Sequence, residues 1–183
     1  MTLQSSISHN RKGFSVVEMV ISLGIISLLI LGIMSLFVGS SRSSDKTQVQ
    51  NSVDTDVALA VERATGYLLE ARSITVDSDG LGITYRRPAT NTDGTYTSSF
   101  TSLEPTSHRL YVTGGTLYTS EAVDRPILRD VPTTDPETGT ALRVFGAGLN
   151  GKEIVLRLAC SRTTSRRQTK YSVVTTRLRP RNM

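Results

Sequence analysis

The distribution of apolar and polar residues separates one apolar segment, suited to lipid, from polar segments, which are suited to water. Residues 1–13 are polar, and an almost unbroken apolar run follows from Phe14 to Val38, where 18 of 25 residues are hydrophobic. About 20 apolar residues are enough for a helix to cross the hydrocarbon core of a bilayer. The run therefore predicts a transmembrane helix. The remainder of the chain is polar and rich in Ser and Thr.

The region after the apolar run predicts an amphipathic helix. If the helix breaks near Gly39, Ser44 or Asp45 is suited to cap a second helix. A helix continuous over residues 14–72 would instead be about 88 Å long. Its second half has one apolar stripe, which must be buried, most simply against the chain's own sheet. The stripe recurs in steps of three and four, at Val49, Val53, Val57, Ala60, Val61, Ala64, Leu68 and Ala71.

Beyond Gly80 the pattern changes to a period of two, which predicts strands. The clearest hairpin signal is Gly114-Gly115 between two alternating segments. We predict an α+β fold, in which a long N-terminal helix packs on an antiparallel β-sheet head. The predicted strands are residues 81–85, 109–113, 116–120, 127–131, 143–145, 153–160 and 171–178, and residues 88–105 and 130–140 are predicted loops.

The start of the apolar run has three interpretations. A secretory signal peptide has an apolar core of about 7 to 15 residues and no internal acid, whereas this run is longer and contains Glu18. A plain transmembrane anchor fits the length, and Arg11 and Lys12 favour a cytoplasmic N-terminus. An ionisable residue inside a spanning segment costs about 2.5 kcal/mol or more on insertion scales, so Glu18 indicates a function with a partner.

The segment from Arg11 to Glu18 carries a family resemblance. Its sequence is Arg-Lys-Gly-Phe-Ser-Val-Val-Glu, and an apolar stretch follows. It resembles the N-terminal cleavage and methylation signal of type IV pilins and pseudopilins. The resemblance implies cleavage between Gly13 and Phe14 by a prepilin peptidase and N-methylation of Phe14. Glu18 then matches the acid at the fifth position of the mature chain.

The resemblance also implies the organisation and location of the protein. It implies a structural filament subunit, not an enzyme, without cofactor or metal. Its partners would be other pilins or pseudopilins, the prepilin peptidase and the inner-membrane assembly machinery. The subunit would cross the inner membrane once, with a cytoplasmic N-terminus, before it enters a pilus or periplasmic filament. The expected divisions are a cleaved leader at 1–13, a transmembrane assembly helix at 14–38, an amphipathic helix at 39–76 and a β-rich head at 77–183.

Physical chemistry suggests why such a signal needs these residues. Gly13 has no Cβ, so its backbone can approach a protease closely. Cleavage creates an α-amine at Phe14 with a pKa near 8, which is mostly positive at neutral pH. A buried carboxylate and a buried ammonium are each costly, and pairing offsets much of that cost. Our hypothesis is that Glu18 of one subunit faces the Phe14 amine of its neighbour and sets the axial register.

A weaker resemblance covers the predicted head. The helix, the strand Leu-Gly-Ile-Thr-Tyr-Arg, the hairpin around Gly114-Gly115 and the segment Pro126–Val131 follow in an order that is similar to minor pilins of the PilW type and to J-type minor pseudopilins. This order extends the resemblance beyond the signal into the head.

Composition and charge reduce the number of functional classes and kinds of site that fit the chain. One cysteine excludes an internal disulfide framework and a cysteine-cluster zinc site, and two histidines leave little for a histidine metal centre. Residues 141–183 contain ten Lys or Arg and one acid, a charge of +9 within a total of +5. A solvated basic face is one interpretation. The alternative is a DNA-uptake subunit whose basic end binds phosphates in a salt-sensitive way.

Four further features invite a chemical interpretation. Residues 146–151 fit G-x-G-x-x-G, but the alternation that follows predicts a strand where a dinucleotide site requires a helix. Asp77-x-Asp79-Gly80 resembles part of a calcium loop but lacks the later ligands, so we expect a capped turn. His108 has no recognisable catalytic partners, and Cys160 is expected to be a small buried thiol.

Besides the DNA-uptake subunit, the second alternative to a structural filament subunit is a plain membrane-anchored binding domain.

Overall fold

The computed structural model describes residues 15–91, 95, 102–121, 123–148, 153–165 and 167–180. The chain divides into two compact units, residues 1–44 and 45–183. One helix and eight strands are present within the described residues. The predicted α+β fold, a long N-terminal helix with an antiparallel head, is confirmed.

Helix α1 runs from Val16 to Leu69 without interruption. Gly39 lies inside it, so neither Ser44 nor Asp45 caps a new helix. A glycine in a helix interior costs about 1 kcal/mol relative to alanine, and this cost does not interrupt α1. The part of α1 that belongs to the first unit exposes its apolar side chains on all sides, from Val16 at 79% to Phe37 at 74%.

In the second unit α1 buries the predicted apolar stripe. Five of its residues, at intervals of three and four, lie entirely out of contact with solvent, which confirms the 3.6-residue period. These residues are Val53, Val57, Ala60, Ala64 and Leu68.

The helix ends earlier than predicted. Residues 39–76 were expected to be helical, but α1 stops at Leu69 and Ser73–Val76 form strand β1. The segment Ser-Ile-Thr-Val consists mainly of β-branched residues, which favour a pleated surface. Pairing with the next strand decides the outcome, because Ile74 lies opposite Tyr85 in that sheet.

Five strands form the first sheet of the head, in the order β1-β2-β3-β4-β5, and every pair is antiparallel. The predicted hairpin at Gly114-Gly115 is confirmed, since Val112 pairs with Leu117 and Thr113 with Thr116. Both glycines have positive φ, 55° and 72°, as a tight two-residue turn requires. The remaining strands of this sheet are β2 (Gly82–Arg86), β3 (His108–Thr113), β4 (Thr116–Thr119) and β5 (Arg125–Leu128).

The second sheet has the order β6-β7-β8 and is also antiparallel. It consists of β6 (Phe145–Ala147), β7 (Ile154–Thr163) and β8 (Thr169–Leu178). Strands β7 and β8 form a long hairpin in which Ile154 pairs with Leu178 and Thr163 with Thr169. The two sheets are connected through the backbone, because Phe145 N donates to Gly80 O at 2.8 Å.

One hydrophobic core lies between the helix and the two sheets. Inward-facing residues of β2, β3 and β4 alternate with outward-facing ones, as an antiparallel sheet with one buried face requires. The largest fully buried side chains are Tyr85, Phe145, Leu68, Ile83, Leu110, Leu117, Leu156 and Leu158. The stripe on α1 therefore packs against its own sheets, as predicted.

Candidate functional site

The first turn of α1 carries Glu18, the acidic side chain that the sequence singles out. The turn closes when Met19 N donates to Ser15 O at 3.1 Å. A carboxylate in a first turn interacts favourably with the positive end of the helix dipole. Its neighbours Val16 and Val17 are 79% and 67% exposed. Glu18 is therefore an anionic group on a surface that is otherwise apolar.

The other two predicted site residues, Gly13 and Phe14, lie outside the described residues. Glu18 is exposed and forms no ion pair within the part of the chain that the structure describes. Cleavage at Gly13, methylation of Phe14 and pairing of Glu18 with an amine therefore stay predictions. The geometry supplies one condition for that pairing, which is a carboxylate free to accept a donor from another chain.

In the apolar part of α1, the hydroxyl groups of two serines donate hydrogen bonds to backbone carbonyls of the same helix. Ser22 Oγ donates to Glu18 O at 2.8 Å, and Ser27 Oγ donates to Leu23 O at 2.7 Å. A side chain that bonds the carbonyl four residues earlier leaves no unsatisfied donor in lipid. The Glu18 carboxylate, in contrast, accepts no hydrogen bond from a described residue of the helix. The four-residue spacing of Glu18 and Ser22 is the sequence signal for this arrangement.

The apolar helix meets the requirement for a membrane span. Among the described residues, α1 is the one helix that is long and apolar enough to cross a bilayer, and the chain buries none of its most apolar stretch. A core helix of a soluble protein would be covered by its own fold. Length, exposure and position near the N-terminus together fit a membrane-anchored protein.

His108 lies in a polar cluster inside the head. It is 6% exposed, and its Nε2 lies 3.2 Å from Glu104 Oε2. Its ring lies 5.5 Å from that of Tyr85, whose hydroxyl donates to Glu121 at 2.7 Å. Burial and this hydrogen bond raise the pKa of Tyr85. A nucleophile with a positioned base is not found around His108 within the described residues.

Cys160 is fully buried, as predicted. Its Sγ donates to Arg129 O at 3.4 Å. Burial raises the pKa of the thiol to about 11, so the nucleophilic thiolate is disfavoured at neutral pH. Within the described ranges, no group of three or more His, Cys, Asp or Glu is placed to hold a metal ion.

The two sequence motifs that suggest a ligand have structural roles in the head. Gly146 lies in β6, and the described chain resumes at Glu153 and enters strand β7 at Ile154, where a dinucleotide site would need a helix. Residues 149–151 of the motif lie outside the described residues. In the aspartate turn, Asp79 Oδ1 accepts from Leu81 N at 2.8 Å, and Asp77 Oδ2 accepts from Arg109 at 2.5 Å.

The structure divides the basic end of the chain, which the charge count treats as one feature. Arg157 Nε donates to Asp135 Oδ2 at 2.6 Å, and Arg157 Nη2 donates to Glu137 Oε2 at 2.6 Å. These bonds bind the loop after β5 to the middle of β7. The acids lie more than 15 residues away in the sequence, so charge patterning does not reveal them.

Arg162 is engaged in the same way. It donates to Asp130 Oδ2 through Nε at 2.7 Å and pairs with Asp56 Oδ2 through Nη1 at 2.7 Å. It thereby connects β7 to α1 and to the loop after β5. Arg157 and Arg162 account for two of the ten cations in residues 141–183. Their charge serves the fold and does not contribute to a free basic surface.

Residues 8–34 match the family described as the prokaryotic N-terminal methylation motif. The predicted prepilin-type signal is confirmed. The match contains Gly13, Phe14 and Glu18 and ends at Met34, before the head begins. No curated protein and no solved structure matches the chain. The methylation motif indicates a structural subunit processed as a prepilin, with other pilins as its partners in assembly.

Proposed function

We propose that this chain is a minor pilin or pseudopilin, a structural subunit of a type IV pilus or of a related secretion filament. The observation that carries the proposal is the methylation motif at residues 8–34, which places an acid on the first turn of an exposed apolar helix. A head of sheets packed on the second half of that helix supports the same role.

The proposed assembly step follows from the solvent requirement of α1. The apolar half of α1 can leave the lipid without a cost in free energy if its new surroundings are equally apolar. A bundle of such helices provides these surroundings. Glu18 and the methylated amine of Phe14 on a neighbouring subunit neutralise each other in that bundle. Because each charge is costly without its partner, the pair specifies one axial register.

The proposed life cycle begins in the inner membrane. The precursor inserts with Arg11 and Lys12 on the cytoplasmic side, in the orientation that the positive-inside rule favours. The prepilin peptidase removes residues 1–13, and the assembly machinery moves the subunit into a filament. The head lies outside the cytoplasm throughout.

The intact mass of the protein from its native membrane tests the proposal. A chain that begins at a methylated Phe14 supports it, and a chain that still begins at Met1 contradicts it and favours a plain membrane-anchored domain. Gly13→Val adds a branched side chain at the cleaved bond and is expected to leave the precursor intact. Gly24→Ala is the matched control, since a Cβ at Gly24 meets no atom within 4 Å.

A further inference from the structure

The turn between β7 and β8 carries two cations, Arg167 and Lys170, on the described part of the chain. Thr164 N donates to Gln168 O at 2.8 Å, and Arg167 N donates to Thr164 O at 2.9 Å, which closes the turn. Arg167 and Lys170 form no ion pair with any residue that the structure describes. The sequence of residues 162–170 contains no acid. The turn is therefore a positively charged end of the head.

Arg167 occupies a backbone conformation that glycine would adopt at lower cost. Its φ is +61°, in the left-handed region, where a residue with a Cβ is uncommon. Strain of this kind persists where the surrounding structure or a function requires the side chain. Because the backbone of Arg167 completes the turn and its side chain is exposed, the charge is the property that glycine would not provide.

Contacts to α1 locate the hairpin within the head. Gln50 Nε2 donates to Tyr171 O at 3.3 Å, and Arg162 Nη1 donates to Ser52 Oγ at 2.8 Å. The hairpin therefore lies beside the first part of α1 that belongs to the head unit. That unit begins at Asp45, only seven residues after the apolar run ends. Seven residues span at most about 25 Å even when fully extended, which limits how far along the chain Asp45 can lie from the end of the apolar run.

We propose that Arg167 and Lys170 bind the anionic phospholipid headgroups of the membrane that holds α1. This inference rests on the membrane anchoring proposed above, and it does not depend on filament assembly. Basic residues next to a membrane segment gain about 1 kcal/mol each near an anionic lipid surface. The contact holds the head at the membrane while the subunit awaits assembly, and it must break when the subunit leaves the bilayer.

The distribution of the other cations favours a lipid surface over nucleic acid. Arg177 and Arg179 lie at or beyond the opposite end of β8, and Arg177 is about 23 Å along the strand from Lys170. Arg157 and Arg162 between these ends are already paired with carboxylates. Among the described residues of β7 and β8, these cations therefore do not form the continuous stripe that follows a nucleic-acid backbone. A small, separate cluster of cations suits anionic headgroups.

The experiment uses the full-length chain in vesicles of phosphatidylcholine alone or with about one third phosphatidylglycerol. A Ser165→Cys substitution puts a fluorescent label on the exposed turn, and the full burial of Cys160 protects the native thiol from labelling. Intact mass checks that one label is attached. Nitroxide-bearing headgroups then quench the label when the turn touches the membrane.

We expect stronger quenching in the anionic vesicles and loss of the difference between about 0.05 and 0.5 M salt. Arg167→Gln with Lys170→Gln should shift the contact equilibrium about 25-fold, which corresponds to about 1 kcal/mol for each cation. The matched control is Arg177→Gln with Arg179→Gln, which removes the same charge at the far end of β8 and should leave the quenching unchanged.

Arg167→Gly separates lipid binding from folding. Glycine adopts the left-handed conformation without strain, so the thermal midpoint should not fall. The contact should nevertheless weaken about fivefold, since one charge is lost. A variant that loses quenching only when it also loses stability would contradict the proposal.

Three other outcomes would also overturn the proposal. Equal quenching in neutral and anionic vesicles shows that lipid charge does not matter. Equal losses in the two double variants show that the effect is one of net charge. Salt-sensitive DNA binding that depends on Arg167 and Lys170, with unchanged quenching, assigns the turn to nucleic acid. If the labelled chain fails to float with either kind of vesicle, the membrane anchoring itself is wrong.

Discussion

Arg157 and Asp135 form a two-point ion pair across the head. The guanidinium Nε lies 2.6 Å from Asp135 Oδ2, and Nη2 lies 3.1 Å from Oδ1. The Asp135 side chain is 6% exposed, whereas that of Glu137, which shares the same guanidinium, is 53% exposed. The pair fixes a loop of the polypeptide to the central strand of the second sheet.

Removing the cation should destabilise the head. Arg157→Gln leaves the buried Asp135 carboxylate without its partner, and we expect a loss of about 3 kcal/mol in the free energy of unfolding. Arg143→Gln is the matched control, because that side chain is exposed and, among the described residues, its hydrogen bond goes to the Ser78 carbonyl, at 3.0 Å. Urea unfolding of the chain in detergent, followed by circular dichroism, measures both. A loss below 1 kcal/mol for Arg157→Gln would show that the pair contributes little.

The same ion pair predicts that the free energy of unfolding of the head depends on pH. Hydrogen bonds from Arg157 lower the pKa of Asp135 to about 2, from an ordinary value of 3.8. A lowered folded-state pKa gives stability that is fully present above the unfolded pKa and is lost as the pH falls through the folded pKa. Unfolding free energies should therefore fall between about pH 4 and about pH 2. Asp135→Asn should show a smaller fall over that window, and an identical fall would contradict the assignment.

The buried stripe of α1 predicts a contrast between two leucines on one helix. Leu68 is fully buried and Leu59 is 44% exposed. Leu68→Ala should cost about 2 to 5 kcal/mol, since it removes buried surface and leaves a cavity. Leu59→Ala makes the same chemical change with an expected cost below about 1 kcal/mol. Equal costs in urea unfolding would show that the stripe does not carry the packing.

Replacement of Glu18 is expected to impair filament assembly and to leave membrane insertion intact. Glu18→Ala removes the carboxylate that we propose pairs with the Phe14 amine, so the filament fraction should fall while the membrane fraction is unchanged. Ser27→Ala is the control, because that hydroxyl bonds its own helix at 2.7 Å. Immunoblots of sheared filaments and of membranes compare the two. Normal incorporation of the Glu18 variant would refute the pairing.

Cys160 predicts an unreactive thiol in the folded protein. Its burial and its raised pKa of about 11 both keep the thiolate scarce at neutral pH. Alkylation by iodoacetamide should be slow in native buffer and fast in guanidinium chloride, by mass spectrometry. Rapid alkylation without denaturant would mean that the strand β7 opens readily.

The sequence alone determined the features that depend on local chemistry. The apolar run, the stripe on α1 and the Gly114-Gly115 turn each follow from hydrophobic period or backbone sterics, and all three match the structure. The methylation signal is likewise a short contiguous motif. Such features depend on neighbours in the chain, and those neighbours can be identified directly in the sequence.

Only the tertiary structure decided features that depend on distant partners. Residues 73–76 lie beside a helical pattern, and pairing with β2 made them a strand. Charge count made Arg157 and Arg162 part of one basic end, and the fold paired them with acids from remote segments, whereas Arg167 and Lys170 form no ion pair with a described residue. The physical reason is that strand pairing and buried ion pairs draw their stabilisation from non-local contacts, which hydrophobic period and local charge do not encode.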